Sequence, residues 1–377
     1  MYKNHLQVSD MGEKKLIKRI IEKSMNFNTE NSYNNHENYS KKNPDFNQYI
    51  GDDAALIDFN INNKNSEERY LVATSDLLIQ KSHFPKQMSY FQMGWKAVVV
   101  NVSDLAAMGA APLGILISLA VPNNLKLSYF DEIIDGILAS SNEYNIPLLG
   151  GDTNQADQII ISGTALGVVE KAKAMKKSGF KDMDLIAITG EVGLAALGFE
   201  ILKEENIKVI KDSVKNDEIS REIVDLAIEK ALKPRAKLED GIIMNQFASS
   251  ATDITDGLAS ELYECYNADK IANKDSNLGI RICAEKITNT WFFKEIAKVS
   301  KILNKNPLDL VLHVGEDFEL LFTFDENMVN NHSIDFIVIG EINNSNKVEI
   351  EYSNGKVEDL SPKGYEHLSK KSLDSEI

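Results

Sequence analysis

The sequence predicts an α+β fold of two-layer α/β type, divided into domains over residues 1–170 and 171–377. Three observations predict it. The 377 residues exceed what one compact core ordinarily holds. Segments of helical and strand period follow one another in mixed order, rather than in the strict alternation of a doubly wound sheet. No internal repeat with a period of roughly 20 to 50 residues is visible, which leaves open only a diverged duplication of two similar-sized α/β halves.

The elements are expected in the following order. Residues 11–25 place Leu16, Ile17, Ile20 and Ile21 at helical spacing, giving an amphipathic helix. Residues 26–48 are rich in Asn, Ser, Tyr and Lys without an apolar period, and read as an exposed insertion or a flexible loop. Strands are expected at Ala54 to Phe59 and Tyr70 to Ser75, a helix at Ser89 to Met108, a strand at Ile115 to Val121 and a helix at Tyr129 to Tyr144. Strands at Leu148 to Gly150 and Ile159 to Val169 complete the first domain. Lys171 to Asp184, basic and carrying Gly179, reads as a connection. Beyond it come a strand at Leu185 to Thr189, a helix from Gly193 to Leu202 after a glycine turn, and a helix at Ile219 to Leu232 stopped by Pro234. Strands at Leu321 to Phe324 and Ile334 to Ile339 follow.

Composition narrows the function. At 43% hydrophobic and 26% charged, the chain is globular. Lys and Arg number 41 against 57 Asp and Glu, a net charge of −16, so a general nucleic-acid binder is disfavoured. Two cysteines, Cys265 and Cys283, stand apart with no metal-ligand spacing, as expected in a reducing compartment. The start MYKNHLQVSDMGEKK has no apolar core, so no secretory signal is expected, and cytoplasmic residence follows as the expectation. The longest apolar tract, Ala97 to Val121, is broken by Asn101, Asp104 and Pro112 and reads as a buried helix followed by a strand, not a membrane span.

The position of the acids says more than their number. Asp52 and Asp53 precede the apolar AALI; Asp76 ends YLVATS; Asp104 lies inside the apolar helix AVVVNVSDLAAMG. Asp152 follows PLLGG, Asp253 and Asp256 sit in SSATDITDG, and Glu316 with Asp317 follows LHVG before FELLF. Turn or N-cap chemistry accounts for any one of Asp152, Asp253 or Asp256 taken alone. Adjacent Asp52 and Asp53 are harder to explain so, and Asp104, flanked by apolar helix on both sides, is costly to bury unpaired.

Carboxylates gathered in one cleft repel each other and imply bound cations. Oxygen donors from Asp, Glu and the hydroxyls of Thr74 and Ser75 suit Mg²⁺ or Mn²⁺ rather than zinc. Such clusters hold phosphates, so a multi-metal phosphoryl-transfer site leads; a structural Ca²⁺ site is the bland alternative, without an EF-hand loop to support it. There is no GxxxxGK[ST], no kinase HRD set and no GxSxG elbow, and six histidines form no HExxH. Gly150, Gly151, Asp152 and Thr153 could offer backbone amides to a nucleotide phosphate.

Taken in order, IGDDAAL, ATSDLL followed by SHF, KAVVVNVSDLAAMGAAP, LLGGDT, ATDITDGL and VGEDFEL resemble the thiamine-monophosphate kinase family, from about Gln48 to the terminal GYEHL. That family belongs to a superfamily with aminoimidazole ribonucleotide synthetase, selenophosphate synthetase and a hydrogenase-maturation protein. The resemblance implies an aminoimidazole-ribonucleotide-synthetase-like N-terminal domain with a mixed sheet and a C-terminal α/β domain of the same superfamily. It implies that Asp53, Thr74, Ser75, Asp76, Asp104, Asp152, Asp253 and Asp256 hold several Mg²⁺ ions, with Asp52 adjacent. It places Gly151, Asp152, Lys177 and Thr255 near ATP, and His83, Glu316 and Tyr365 near thiamine monophosphate. A homodimer with paired N-terminal sheets, and an active site between the two domains, are implied as well.

The sequence departs from the family's pattern at Lys81, where glycine is usual, at Ile134, often tyrosine, and at Lys177, Lys233 and Lys237, which take arginine positions. Lysine keeps the charge and loses bidentate phosphate geometry. The implied reaction is in-line transfer of the ATP γ-phosphoryl group to thiamine monophosphate, giving thiamine diphosphate and ADP. The acceptor phosphate has a second pKa of about 6, so the nucleophile is largely dianionic and needs no general base. The alternatives are an ATP-dependent synthetase of the same superfamily and a catalytically idle metal- or nucleotide-binding module. A selenophosphate synthetase is disfavoured, because both cysteines lie after residue 260.

Overall fold

Two mixed sheets, each made from its own stretch of chain, meet around one buried helix. The computed structural model describes residues 15–19, 52–58, 68–328 and 334–364. Residues 15–19 are helical, inside the helix expected over 11–25; the insertion at 26–48, Ile20, Ile21 and Tyr365 lie outside the described residues.

The first sheet contains β1 (Ala55–Asp58), β2 (Arg69–Ile79), β3 (Ala111–Val121), β4 (Leu148–Gln155) and β5 (Ile160–Glu170), in the order β1-β2-β5-β3-β4. All pairs are antiparallel except β3 with β4. The second sheet has the order β12-β11-β8-β10-β6-β9-β7. Its strands are β6 (Leu185–Ile188), β7 (Ala248–Asp253), β8 (Gly279–Cys283), β9 (Leu320–Phe324), β10 (Ile337–Asn343), β11 (Val348–Glu351) and β12 (Val357–Asp359). The helices are α1 (Gln80–His83), α2 (Tyr90–Ala107), α3 (Leu127–Glu143), α4 (Leu194–Leu202), α5 (Glu204–Lys215), α6 (Arg221–Leu232), α7 (Leu238–Met244), α8 (Leu258–Ala272), α9 (Ala284–Thr288), α10 (Trp291–Ile302) and α11 (Pro307–His313). The α+β class expected from the sequence is the one observed.

The long apolar tract divides as expected into α2 and β3. Ser89 starts α2 with a capping box closed by Gln92, which satisfies two of the backbone N–H groups that a helix start leaves free. Fourteen of the helix's 18 residues are buried, because the first sheet and α3 cover part of its surface and α7 and β7 cover another part. Its crossing with α3 is close enough to require glycine on both sides. A Cβ on Gly94 would lie 2.0 Å from the Ile133 carbonyl oxygen, and one on Gly136 would lie 1.9 Å from that of Phe91.

Two strands run further than their apolar content suggests. β2 continues to Ile79 because all eleven of its residues pair with β5, so Asp76 stands inside the strand and does not end it. β4 runs through Gly-Gly-Asp-Thr to Gln155 because β3 lies alongside it. At Gly151 a Cβ would come 1.7 Å from the Ile117 carbonyl oxygen, so the glycine answers a close approach of the two strands. The burial of β2 alternates: Val72, Thr74 and Leu78 face α2, while Ser75 and Leu77 face outward. Within the chain, β3 also keeps an exposed side, at Leu113 and Leu116, in contrast to the burial on both faces that its apolar run allows.

Candidate active site

Three elements deliver three carboxylates to one point. Asp53 precedes β1, Asp104 lies near the end of α2 and Asp253 is the last residue of β7. One oxygen from each lies within 4.8 Å of the others. Thr74 and Asp76, on the inward face of β2, adjoin this group. The Thr74 hydroxyl donates to Asp104 Oδ2 and is 3.3 Å from the Asp53 carbonyl oxygen. Asp76 takes its backbone position from Asn101, whose Oδ1 accepts the Asp76 N–H at 3.3 Å. Ser103, next to Asp104 on α2, donates to Asp253 Oδ2 at 2.5 Å, which ties the helix to β7 of the other sheet.

These acids disturb one another's charge. Desolvation lifts Asp104 well above the usual carboxylate range, the charges of Asp76, Asp253 and Asp53 lift it further, and the Thr74 hydroxyl opposes them. Asp253 is raised well above its ordinary value by desolvation and then by Asp53, against the Ser103 hydrogen bond. Desolvation also raises Asp76. Asp53 is stabilised differently: Lys177 Nζ lies 2.9 Å from its Oδ1, which also accepts from Thr252 Oγ1 at 3.2 Å. Its Oδ2 is buried with no hydrogen-bond partner among the described residues. Burial disfavours the Lys177 ammonium, but Asp53 and Glu261 outweigh it and hold that group well above the ordinary lysine value.

The turn after β7 supplies the next groups. Glu261, in the first turn of α8, accepts the Asp256 N–H at 3.0 Å and the Thr255 hydroxyl at 3.4 Å. Desolvation pushes Glu261 up to about 7, with the Lys177 charge opposing. Glu316 sits beside this turn with φ of 61° and donates its N–H to the Thr255 carbonyl oxygen at 2.7 Å. The Glu316 carboxylate meets Lys96 Nζ from α2, and the same ammonium donates to the His83 carbonyl oxygen at 2.9 Å. His83 itself ends α1 with Nδ1 2.9 Å from the Ile79 nitrogen.

The sequence-expected residues therefore divide. Asp53, Thr74, Asp76, Asp104 and Asp253 converge; Thr255 and Asp256 lie on the adjoining turn, and His83 and Glu316 meet through Lys96. Asp52 is turned toward the connection between the sheets, where its Oδ1 accepts the Lys177 N–H at 2.6 Å. Ser75 faces outward: its hydroxyl contacts the Gly163 carbonyl at 2.9 Å and Thr164 Oγ1 at 3.0 Å, not the carboxylates. Gly151 and Asp152 lie on the exposed edge strand β4. The register row Leu77–Ser162–Ser118–Asp152 puts Asp152 on the outward face, three strands from β2, or about 14 Å. Its Oδ1 accepts the Thr153 N–H at 2.9 Å. Lys233 lies over the Trp95 ring, 4.2 Å from its centroid, and Lys237 is 3.4 Å from buried Glu319.

Lys96, Ser103, Thr252 and Glu261 escaped the sequence reading. Lys96 had a signal, a lone lysine opening an apolar helical run, and Glu261 had another, an acid one turn beyond Thr-Asp-Gly. Ser103 and Thr252 had none, because their partners are 150 and 199 residues away.

Comparison with known proteins places these observations. The family described as AIR synthase related protein, N-terminal domain, matches residues 51–169. The thiamine-monophosphate kinase of Pyrococcus abyssi is 36% identical over 320 residues, 85% of this chain and 91% of the relative. That of Methanocaldococcus jannaschii is 31% identical over 83% of this chain and 86% of its own length. A solved structure described as AaThiL complexed with AMPPCP and TMP superposes with a TM-score of 0.75 at 26% identity, covering 97% of this chain and 100% of that one.

Proposed function

The chain belongs to the thiamine-monophosphate kinase family, and from that premise we propose that its acid-lined site transfers the γ-phosphoryl group of ATP to thiamine monophosphate, forming thiamine diphosphate and ADP. The observation that carries this reading is the convergence of Asp53, Asp104 and Asp253 within 4.8 Å. Three carboxylates at that spacing do not all ionise without cations between them.

The donor set fits Mg²⁺. It is made of oxygen alone, and the buried Asp53 Oδ2 has no partner among the described residues, as a ligand atom awaiting a cation would. Asp53, Thr74, Asp76, Asp104 and Asp253 would hold the ions. Bound Mg²⁺ supplies charge neutralisation between two anionic substrates and fixes the line of approach.

The chain's own groups complete the arrangement. Thr255 and Lys177 flank the acids on the side of the second sheet and suit the nucleotide; the Lys177 ammonium at Asp53 serves as counter-charge within the free chain. His83 and Glu316 suit thiamine monophosphate, with the Glu316 carboxylate available to the cationic ring of that substrate. Tyr365, outside the described residues, is assigned to the same substrate by its motif. The acceptor phosphate, with a second pKa of about 6, reacts as its dianion, so no side chain has to remove a proton. The role of the protein is to align donor and acceptor and to hold charge against their repulsion.

The reading extends to a homodimer. Ile57, Leu77 and Leu116 on the outward face of the first sheet are 43%, 52% and 39% exposed, and a second copy of the same sheet is a partner of matching character. Ser75 and Asp152 would then lie at or near the join.

The test is a coupled assay for ADP release together with direct detection of thiamine diphosphate, with and without Mg²⁺. Thiamine diphosphate formation that requires both ATP and Mg²⁺ supports the proposal. ATP binding with no turnover would refute it.

A further inference from the structure

We infer that Lys96 is a positioning residue of the kinase reaction, clamping the Glu316 carboxylate to the His83 segment so that the two sides of the thiamine monophosphate pocket are held as one unit. The inference rests on the reading above that Glu316 and His83 face that substrate.

Lys96 is completely buried, an uncommon state for a lysine. Among the described residues its ammonium has two partners from segments far apart in sequence: the Glu316 carboxylate, from the loop after α11, and the His83 carbonyl oxygen, 2.9 Å away at the end of α1. Glu316 is not placed by its local backbone preference, since its φ of 61° is a left-handed value. It is placed instead by its N–H bond to the Thr255 carbonyl and by the ion pair with Lys96. The side chain of Glu316 remains 29% exposed while Lys96 holds its carboxylate, so the group is both fixed and accessible.

Burial of such a pair does not by itself explain the lysine. A methionine of similar length would fill the same space without desolvating a charge, and an apolar replacement of a buried pair is often neutral or stabilising. What the methionine could not do is fix the direction of the carboxylate. Lys96, Ser103 and Asp104 are spaced at i, i+7 and i+8, so they share a face of α2. The same rigid helix therefore sets both the acids and the Glu316 carboxylate.

The test compares Lys96→Met, Lys96→Arg, Glu316→Gln and the double variant Lys96→Met/Glu316→Gln by steady-state kinetics with each substrate varied. Lys96→Met is expected to raise KM for thiamine monophosphate by about tenfold or more while KM for ATP stays within about twofold. Lys96→Arg is expected to recover part of that loss. In the Glu316→Gln background Lys96→Met should have no further effect, and this comparison also serves if the single Lys96→Met variant fails to fold. The inference is overturned if Lys96→Met leaves KM for thiamine monophosphate unchanged, raises both KM values alike, or adds its effect to that of Glu316→Gln. If Glu316→Gln alone leaves that KM unchanged, the assignment of Glu316 to the substrate is what fails.

Discussion

Replacing Asp104 with asparagine should make the metal-free protein more stable and nearly inactive at once. Asp104 lies within 4.8 Å of both Asp53 and Asp253. Two unit charges at 4.8 Å repel by about 3.5 kcal/mol at an effective dielectric constant of about 20. Lys177, 2.9 Å from Asp53, offsets part of this, and partial protonation of the raised carboxyls relieves more. The net gain expected on removing the Asp104 charge is therefore about 1–3 kcal/mol, or roughly 1–4 °C in the melting temperature without metal. The Thr74 hydroxyl keeps an acceptor, since asparagine retains a side-chain oxygen. The sign with pH follows from the same acids. A carboxyl whose folded pKa is raised binds its proton more tightly when folded, so stability is greatest below the unfolded value near 4 and declines as pH rises toward the folded one. Asp104→Asn should flatten that decline. Added Mg²⁺ should stabilise the parent chain at pH 7 to 8 and have little effect on the variant, while kcat falls by about a thousandfold or more. Calorimetric melts with and without Mg²⁺, read beside the thiamine diphosphate assay, check all three. Retention of full turnover together with an intact Mg²⁺-induced rise in melting temperature would refute the metal-cluster reasoning.

Three other outcomes are expected. Leu77→Glu with Leu116→Glu should give a monomer by analytical ultracentrifugation, whereas the sheet-pairing proposal expects the parent to sediment as a dimer; a parent that is itself monomeric would remove that proposal. Asp317 is pushed up to about 8 by burial, its Oδ2 has no hydrogen-bond partner among the described residues, and its Oδ1 accepts the Gly193 N–H at 2.9 Å. Asp317→Asn should therefore match or exceed the parent's stability at pH 8, with a flatter fall in denaturation midpoint between pH 5 and about 8; a large loss would show that the ionised form is needed. Gly136→Ala should cost about 3 kcal/mol or more in urea unfolding, because its Cβ would meet the Phe91 carbonyl oxygen at 1.9 Å. Near-parental stability there would mean that α2 and α3 can separate freely.

Much of the site could be read from the sequence because the acids are attached to segments whose burial is itself legible. Asp104 stood out since an apolar helix surrounds it, and it lies among Asp53, Asp76 and Asp253 as its setting implied. Facing was harder to read. Thr74, Ser75 and Asp76 are neighbours in sequence, yet strand alternation sends the Ser75 hydroxyl to the other side, and only the pairing of β2 with β5 shows that the strand continues through them. Asp152 follows a Gly-Gly step that reads as a phosphate turn from sequence alone; that Gly151 also answers the close approach of β3 is visible only in the fold. Glu261 and Lys96 were legible only as anomalies, because what they touch is decided by the meeting of two sheets far apart in sequence.

Helix α2 has a consequence for how this protein can vary. Lys96, Ser103 and Asp104 each reach a different partner, and their alignment depends on the number of residues between them as well as on their identity. One residue inserted between Lys96 and Ser103 would turn everything beyond it by about 100° and advance it by about 1.5 Å. Glu316 and the acids would then be addressed from different faces of the helix, although every side chain was still present. Apolar residues such as Val98 or Val102 can be exchanged for others of similar volume, but the length of this segment is fixed in a way that no single substitution would reveal.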